Sequence, residues 1–68
     1  MAKMRFGNLI AETEYFDGKV HCFVSKGKAT NSLALLFGEG EFDDGTPLTR
    51  EEYAALDAIE NWASGEGY

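Results

Sequence analysis

The sequence predicts an α+β domain in which an antiparallel sheet of three to four strands packs against one C-terminal α-helix. Three observations lead to this fold class. A turn signal at Asp17-Gly18 joins two strand-like segments, a helix start signal lies at Thr49, and acidic residues dominate after residue 38. A chain of 68 residues has room for one hydrophobic core, so we expect a single small domain spanning residues 1–68.

The clearest local signal is Asp17-Gly18, which lies between Thr13–Phe16 and Lys19–Val24. Asp-Gly accepts the positive φ angles of a type I′ turn, so we predict a two-residue hairpin with Phe16 opposite Lys19. This register places one set of side chains on the face that we predict to be the core face: Ala11, Thr13, Tyr15, Val20, Cys22 and Val24. The opposite face carries Glu12, Glu14, Lys19, His21 and Phe23.

Further strand segments flank this hairpin. Gly7-Asn8 fits either a type II′ turn between two strands or a bulge in one long, bent strand. After a basic turn at Ser25–Lys28, we predict a strand over Thr30–Phe37. Its Leu33–Phe37 run is apolar on both sides, which suits a central strand covered on both faces, with a short buried helix as the alternative.

The C-terminal segment has the signals of an α-helix. Thr49 is a favourable N-cap and Glu52 follows three residues later, which makes a capping box. We predict a helix from Arg50 to about Ala63 that stops at Gly65, the residue expected to adopt the left-handed conformation. At 100° per residue, one arc is apolar and should pack on the sheet: Ala55, Leu56, Ile59, Trp62 and Ala63. A second arc is exposed and acidic and contains Tyr53, Asp57 and Glu60.

Charge is distributed unevenly along the chain, whose net charge is −6. Residues 1–38 hold five basic and three acidic side chains, for a net charge of +2. Residues 39–68 hold nine acidic side chains and one basic side chain, Arg50, for a net charge of −8. This asymmetry favours a basic partner, although charge also serves simple solubility. An acidic surface repels phosphate, so we expect no direct binding of nucleic acid.

No constellation for chemistry is visible in the sequence. A single cysteine and a single histidine provide neither a disulfide nor a four-ligand zinc site, and a reducing cytoplasm is the expected compartment. Glu14 opposite His21 has the composition of a general-base pair, but no nucleophile accompanies it. The connection over residues 38–45 lacks the spacing of a calcium loop or a phosphate loop. We therefore predict a non-enzymatic protein without catalytic residues, metal or cofactor.

The longest apolar run, Leu33–Phe37, is too short to cross a membrane, so we expect no membrane association. Binding to a protein partner with a basic surface is the function that we predict, because dense carboxylates on a rigid element select such surfaces. The predicted binding residues are Tyr53, Asp57, Glu60, Glu39, Glu41, Asp43 and Asp44. The alternative is a structural module that self-associates as a homodimer through its sheet.

The chain resembles a class of small phage proteins in its size and style. It is short, acidic and poor in cysteine, with hairpin strands around Asp17-Gly18 followed by the acidic helix over Thr49–Ala63. In these respects it is similar to phage-encoded inhibitors such as anti-CRISPR proteins and phage inhibitors of host RNA polymerase. The resemblance covers the whole chain, contains no diagnostic motif and carries over no functional residue. It implies an inhibitor that binds a host machine in the host cytoplasm and blocks its access to nucleic acid.

Overall fold

A computed structural model of the protein describes residues 2–68 and shows a four-stranded antiparallel sheet with two helices on one of its faces. The strands are paired in chain order, so each strand lies beside the next one in the sequence. This architecture confirms the predicted α+β class with a C-terminal helix. The elements are β1 (Ala2–Phe6), β2 (Leu9–Phe16), β3 (Lys19–Lys26), β4 (Ala29–Ser32), α1 (Leu33–Glu39) and α2 (Arg50–Gly65).

Three two-residue turns connect the four strands. Asp17 and Gly18 have φ angles of 55° and 80°, as a type I′ turn requires, and the predicted register from Phe16–Lys19 to Ala11–Val24 is confirmed. Gly7 also has a positive φ, 64°, and Phe6 pairs with Leu9 across it. The Gly7-Asn8 segment is therefore a hairpin turn between β1 and β2, and the bulge alternative is wrong.

The predicted strand over Thr30–Phe37 is wrong beyond Ser32. The Ser32 hydroxyl accepts a hydrogen bond from the Leu35 amide at 3.3 Å and caps α1, which begins at the next residue. Leu33 and Leu36, three residues apart, are the buried residues of α1, a spacing that suits a helix and not a strand. The alternative of a short helix is correct, and β4 is a four-residue edge strand instead of a central one.

The core lies between one sheet face and the two helices. Four of the six predicted core-face residues of the hairpin are buried, whereas Val20 is half-buried and Tyr15 is 69% exposed. Those two residues flank the hairpin turn and lie outside the core cluster. The predicted apolar arc of α2 faces the core, with Ala55 and Trp62 at its margin. The buried apolar residues are Leu9, Ala11, Cys22, Val24, Ala29, Leu33, Leu36, Phe42, Leu48, Leu56, Ile59 and Ala63.

Both ends of α2 are closed by hydrogen bonds. The predicted capping box is present: the Thr49 hydroxyl accepts from the Glu52 amide at 3.2 Å, and the Glu52 carboxylate accepts from the Thr49 amide at 2.9 Å. The helix ends two residues later than predicted, because Gly67 and not Gly65 has the positive φ, 101°. This conformation turns the chain back so that the Tyr68 amide donates to the Ala63 carbonyl.

A buried ion pair connects α2 to two turns of the sheet. The Glu52 side chain is only 3% exposed, and its carboxylate lies 2.9 Å from the Lys26 ammonium. It also accepts a hydrogen bond from the Asn8 side chain at 2.8 Å, in addition to the capping bond from Thr49. Burial opposes ionisation, but these donors outweigh it and lower the pKa of Glu52 to about 2. One carboxylate thus fixes the Gly7-Asn8 turn, the end of β3 and the start of α2.

Replacing Glu52 with Gln tests the ion pair without removing the cap, since Gln also completes a capping box. We expect Glu52→Gln to lower the free energy of unfolding by about 2–3 kcal/mol, because the Lys26 charge loses its partner at a buried site. Urea denaturation at pH 7 measures this change. Glu51→Gln is the matched control, since Glu51 is exposed in the same turn, and it should shift stability by less than about 0.5 kcal/mol. Equal effects of the two substitutions would contradict the assignment.

The same carboxylate gives the protein a defined acid dependence. Its pKa is about 4.5 when free and about 2 in the fold, so its stabilisation is fully present above pH 4.5. We expect this contribution to disappear as the pH falls from about 4.5 to 2, because the unfolded chain then binds the proton more readily. Denaturation at pH 6, 4, 3 and 2 should therefore show the stability of wild type and Glu52→Gln converging. A constant difference over this range would rule out Glu52 as the source.

Candidate functional site

The helices bring two rows of side chains together. The first row begins on α1 with Ala34 and Phe37 and ends at Gly40, which follows the helix. These residues are spaced three apart, so they lie on one side of α1. Gly40 has no room for a Cβ, because that atom would collide with the Tyr53 hydroxyl. Tyr53 therefore lies against the end of this row, and Gly40, with φ 71°, permits the approach.

The opposite ends of the two rows also meet. Tyr68 and Ala34 line the same groove. Burial raises the pKa of the Tyr68 hydroxyl, and the neighbouring Cys22 and Glu60 increase it further. Helices α1 and α2 are in contact. Gly40 at the end of α1 lies against Tyr53 near the start of α2, and Ala34 near the start of α1 lines the groove with Tyr68 after the end of α2, so the two helices run in opposite directions.

We call the resulting surface the helix face, formed by Phe37, Tyr53, Asp57, Glu60 and Tyr68. Its three rings remain 40–44% exposed, and both carboxylates are exposed. Within residues 2–68, Asp57 and Glu60 make no hydrogen bond or ion pair. The helix face thus combines exposed aromatic area with unneutralised negative charge.

Two acids of the predicted binding set border the helix face. Glu39 and Glu41 precede and follow Gly40 in the sequence, so they lie at the end of the helix face that contains Tyr53. Both residues are exposed. The structure therefore places Glu39 and Glu41 close to Tyr53, a proximity that the sequence pattern does not predict.

The other two predicted acids, Asp43 and Asp44, have contacts of their own within the loop. The Asp43 carboxylate accepts from the Thr30 amide at 3.1 Å, and the Asp43 amide donates to the Thr30 carbonyl at 3.0 Å, which fastens the loop to β4. Asp44 accepts from the Thr46 amide at 2.9 Å, and hydrogen bonding from the Thr46 side chain and amide lowers the pKa of Asp44. Both remain exposed. A structural role is thus established for them, and binding stays a prediction for all seven residues.

The loop between the helices is held in one conformation despite its length. Phe42 is buried in the core, and its amide donates to the Thr46 carbonyl at 2.9 Å. The Leu48 amide donates to the Gly40 carbonyl at 3.1 Å, and the Asn31 side chain donates to the Glu41 carbonyl at 3.0 Å. A surface that is ordered before binding loses less conformational entropy when a partner docks.

The predicted pair of Glu14 and His21 is not assembled as a general base. The two residues are opposite each other in the sheet, but the His21 ring stacks on Phe16 with centroids 3.8 Å apart. The buried Nε2 atom of His21 has no hydrogen-bond partner among the described residues. Cys22 is also buried, and burial raises the pKa of its thiol to about 11, so it is protonated at neutral pH.

Residues 2–68 contain neither a cluster of metal-ligating side chains nor a helix of membrane-spanning length. No group of three His, Cys, Asp or Glu side chains is arranged to hold a metal ion there. No helix in this part of the chain is long and apolar enough to span a membrane. The sheet face opposite the helices exposes Phe16, and self-association through the sheet stays a prediction.

Comparison with known proteins does not assign the chain. No family model, curated protein or solved structure matches it. The geometry of the helix face is therefore the basis on which we infer a function.

Sequence reasoning missed Phe37 and Tyr68. Phe37 was placed in a strand, although the i, i+3 spacing of Leu33 and Leu36 was a signal for a helix with Phe37 at its margin. Tyr68 follows the last helical turn by three residues, and only the reversal at Gly67 directs it back toward the sheet. No sequence signal located that reversal, since Gly65 was an equally acceptable stop.

Adding a methyl group at residue 40 tests the contact that joins the two rows. We expect Gly40→Ala to lower the free energy of unfolding by about 1–2 kcal/mol, because φ is positive there and the new Cβ collides with Tyr53. Chemical denaturation measures the change, and Tyr53→Ala in the same chain should restore part of it. Gly38→Ala is the matched control: that site is open and in α1, so it should be neutral or slightly stabilising. A neutral Gly40→Ala would contradict the contact.

Proposed function

We propose that this protein is a non-enzymatic binding protein that uses the helix face and the adjoining loop to engage a basic surface of a protein partner. The observation that carries the proposal is the side-by-side arrangement of exposed rings and unpaired carboxylates on two helices. The exposed rings are Phe37 and Tyr53, and the carboxylates between and beside them belong to Asp57, Glu60, Glu39 and Glu41.

Electrostatics supports a basic partner. Residues 39–68 carry a net charge of −8, and Lys26 is already paired with Glu52. Arg50, the first residue of α2, forms no ion pair with the helix-face carboxylates among residues 2–68. The carboxylates of the helix face are therefore available to Arg and Lys side chains of another molecule. Such complementarity accelerates association and rejects acidic partners.

The aromatic rings support a protein as the partner. Aromatic residues are frequent interface anchors because they bury a large area for a small loss of side-chain entropy. A guanidinium group can also lie over the face of an exposed ring while it pairs with a carboxylate. Tyr53 and Asp57, four residues apart on α2, offer both groups to one arginine side chain.

Inhibition is the form of this function that we propose. Many basic protein surfaces exist to hold the phosphates of nucleic acid. An ordered array of carboxylates that covers such a surface would compete with nucleic acid for the same arginine and lysine side chains. The resemblance in size and style to phage-encoded inhibitors agrees with this proposal.

Charge reversal on the helix face tests the proposal. We expect Asp57→Lys combined with Glu60→Lys to reduce the capture of basic partners from a host lysate about tenfold or more, since two attractive contacts become repulsive. Quantitative mass spectrometry of the captured proteins measures this loss, and capture by wild type should weaken as salt rises.

The matched control reverses the same number of charges on the opposite sheet face. Glu12→Lys combined with Glu14→Lys changes the net charge equally and leaves the helix face intact. This variant should retain the captured partners. If both double variants capture the same proteins in the same amounts as wild type, the helix face is not the binding surface.

A further inference from the structure

Strand β3 extends further than the strand that covers its edge. β4 ends at Ser32, which lies opposite Phe23, whereas β3 begins at Lys19. The segment from Lys19 to Cys22 is therefore paired with β2 on one side, and no strand of residues 2–68 lies on its other side. An unpaired strand edge is a template for a further strand.

The backbone of this segment faces the open side at alternate residues. Phe16 and Lys19 flank a two-residue turn and face each other, so the backbone groups of Val20 point away from β2. The amide of Cys22, two residues later, points the same way. The Val20 groups are available to the backbone of an added strand, which would extend the sheet past the end of β4, whereas Cys22 is only 1% exposed and marks the inner end of the open edge.

A groove of about 350 Å³ lies along this open edge. Its floor and walls include Val20 and Cys22 from β3, Ala34 from α1, and Tyr68 from the C-terminal turn. Most of these side chains are apolar, and the volume is within the range of about 300–1,000 Å³ that is usual for binding sites. An extended chain on the edge would direct alternate side chains into the groove and the others to the outer sheet face.

A second copy of this chain does not suit the edge. The edge strand β1 carries Lys3 and Arg5 on the outer face, so pairing through β1 would bring them to the same face as Lys19 of the first copy. Like charges on neighbouring strands are destabilising. Two copies could also pair through β3 in antiparallel orientation. The Asp17-Gly18 turn of each copy would then point toward Ser32, at the end of β4 in the other copy.

We propose that the open edge of β3 from Lys19 to Cys22 binds an extended segment of a partner protein by strand addition. The segment has small apolar side chains at the positions that enter the groove and an acidic side chain beside Lys19. Lys19 is exposed and makes no ion pair within residues 2–68, so it selects this charge. The site adjoins the helix face, since Tyr68 belongs to both, but the proposal does not depend on the acidic row of that surface.

NMR titration of the ¹⁵N-labelled protein with two synthetic peptides tests the proposal. The probes are acetyl-Asp-Val-Asp-Val-Asp-amide and acetyl-Lys-Val-Lys-Val-Lys-amide, because they place the same apolar side chains in the groove with opposite charges outside. A few backbone hydrogen bonds give dissociation constants on the order of millimolar, so concentrations up to about 5 mM are needed. We expect the acidic peptide to shift the amide signals of Lys19–Cys22, Ser32 and Ala34, and to bind at least about fivefold more tightly than the basic peptide.

Two variants make the test decisive. Ala34→Phe fills the groove and should abolish these shifts, whereas Ala58→Phe, at an exposed position of α2, should keep them. Lys19→Glu leaves the groove open and should reverse the preference, so that the basic peptide binds more tightly. Because Lys19 is exposed, this variant remains informative even if Ala34→Phe does not fold. The proposal is overturned if neither peptide shifts these signals, if wild type binds both peptides equally, or if Lys19→Glu keeps the original preference.

Discussion

The ion pair between Glu52 and Lys26 is the constraint on which the arrangement of the other elements depends. It joins the first turn of α2 to the end of β3, and Asn8 adds the turn between β1 and β2. With so few residues, the core supplies limited stability, so a satisfied buried charge contributes both energy and orientation. Once α2 is fixed at this end, its apolar arc covers the sheet and its acidic row lies beside α1. The position of the helix face therefore follows from a carboxylate on the buried side of the same helix.

Much of the fold could be predicted from the sequence because the local signals agree with the final packing. The Asp17-Gly18 turn has the backbone angles that its residue types favour, and the capping box at Thr49 begins α2. The strand predicted after Ser32 is wrong because hydrophobicity alone does not distinguish a strand from a helix in a short apolar run. A helix forms there because Ser32 caps its first turn and because Leu33 and Leu36, on one side of the helix, are buried in the core.

Only part of the candidate site could be predicted from the sequence. The acidic row of α2 follows from helical periodicity, and its exposure agrees with the structure. The partners of Glu52 could not be predicted, because Lys26 and Asn8 are distant in sequence and appeared to belong to ordinary turns. The contribution of Phe37 and Tyr68 also required tertiary information, since each depends on where a neighbouring chain reversal directs it. Long-range contacts therefore place aromatic rings beside the acidic row of α2.

The central claim is that the helix face, and not the sheet, is where a basic partner binds. NMR titration of the ¹⁵N-labelled protein with a synthetic helical peptide rich in arginine and leucine tests this claim most directly. We expect the largest amide shifts to fall on Phe37, Tyr53, Asp57 and Glu60, and these shifts should diminish as salt screens the carboxylates. Shifts concentrated instead on Glu12 and Glu14 of the outer sheet face, or spread evenly over all exposed acids, would contradict it.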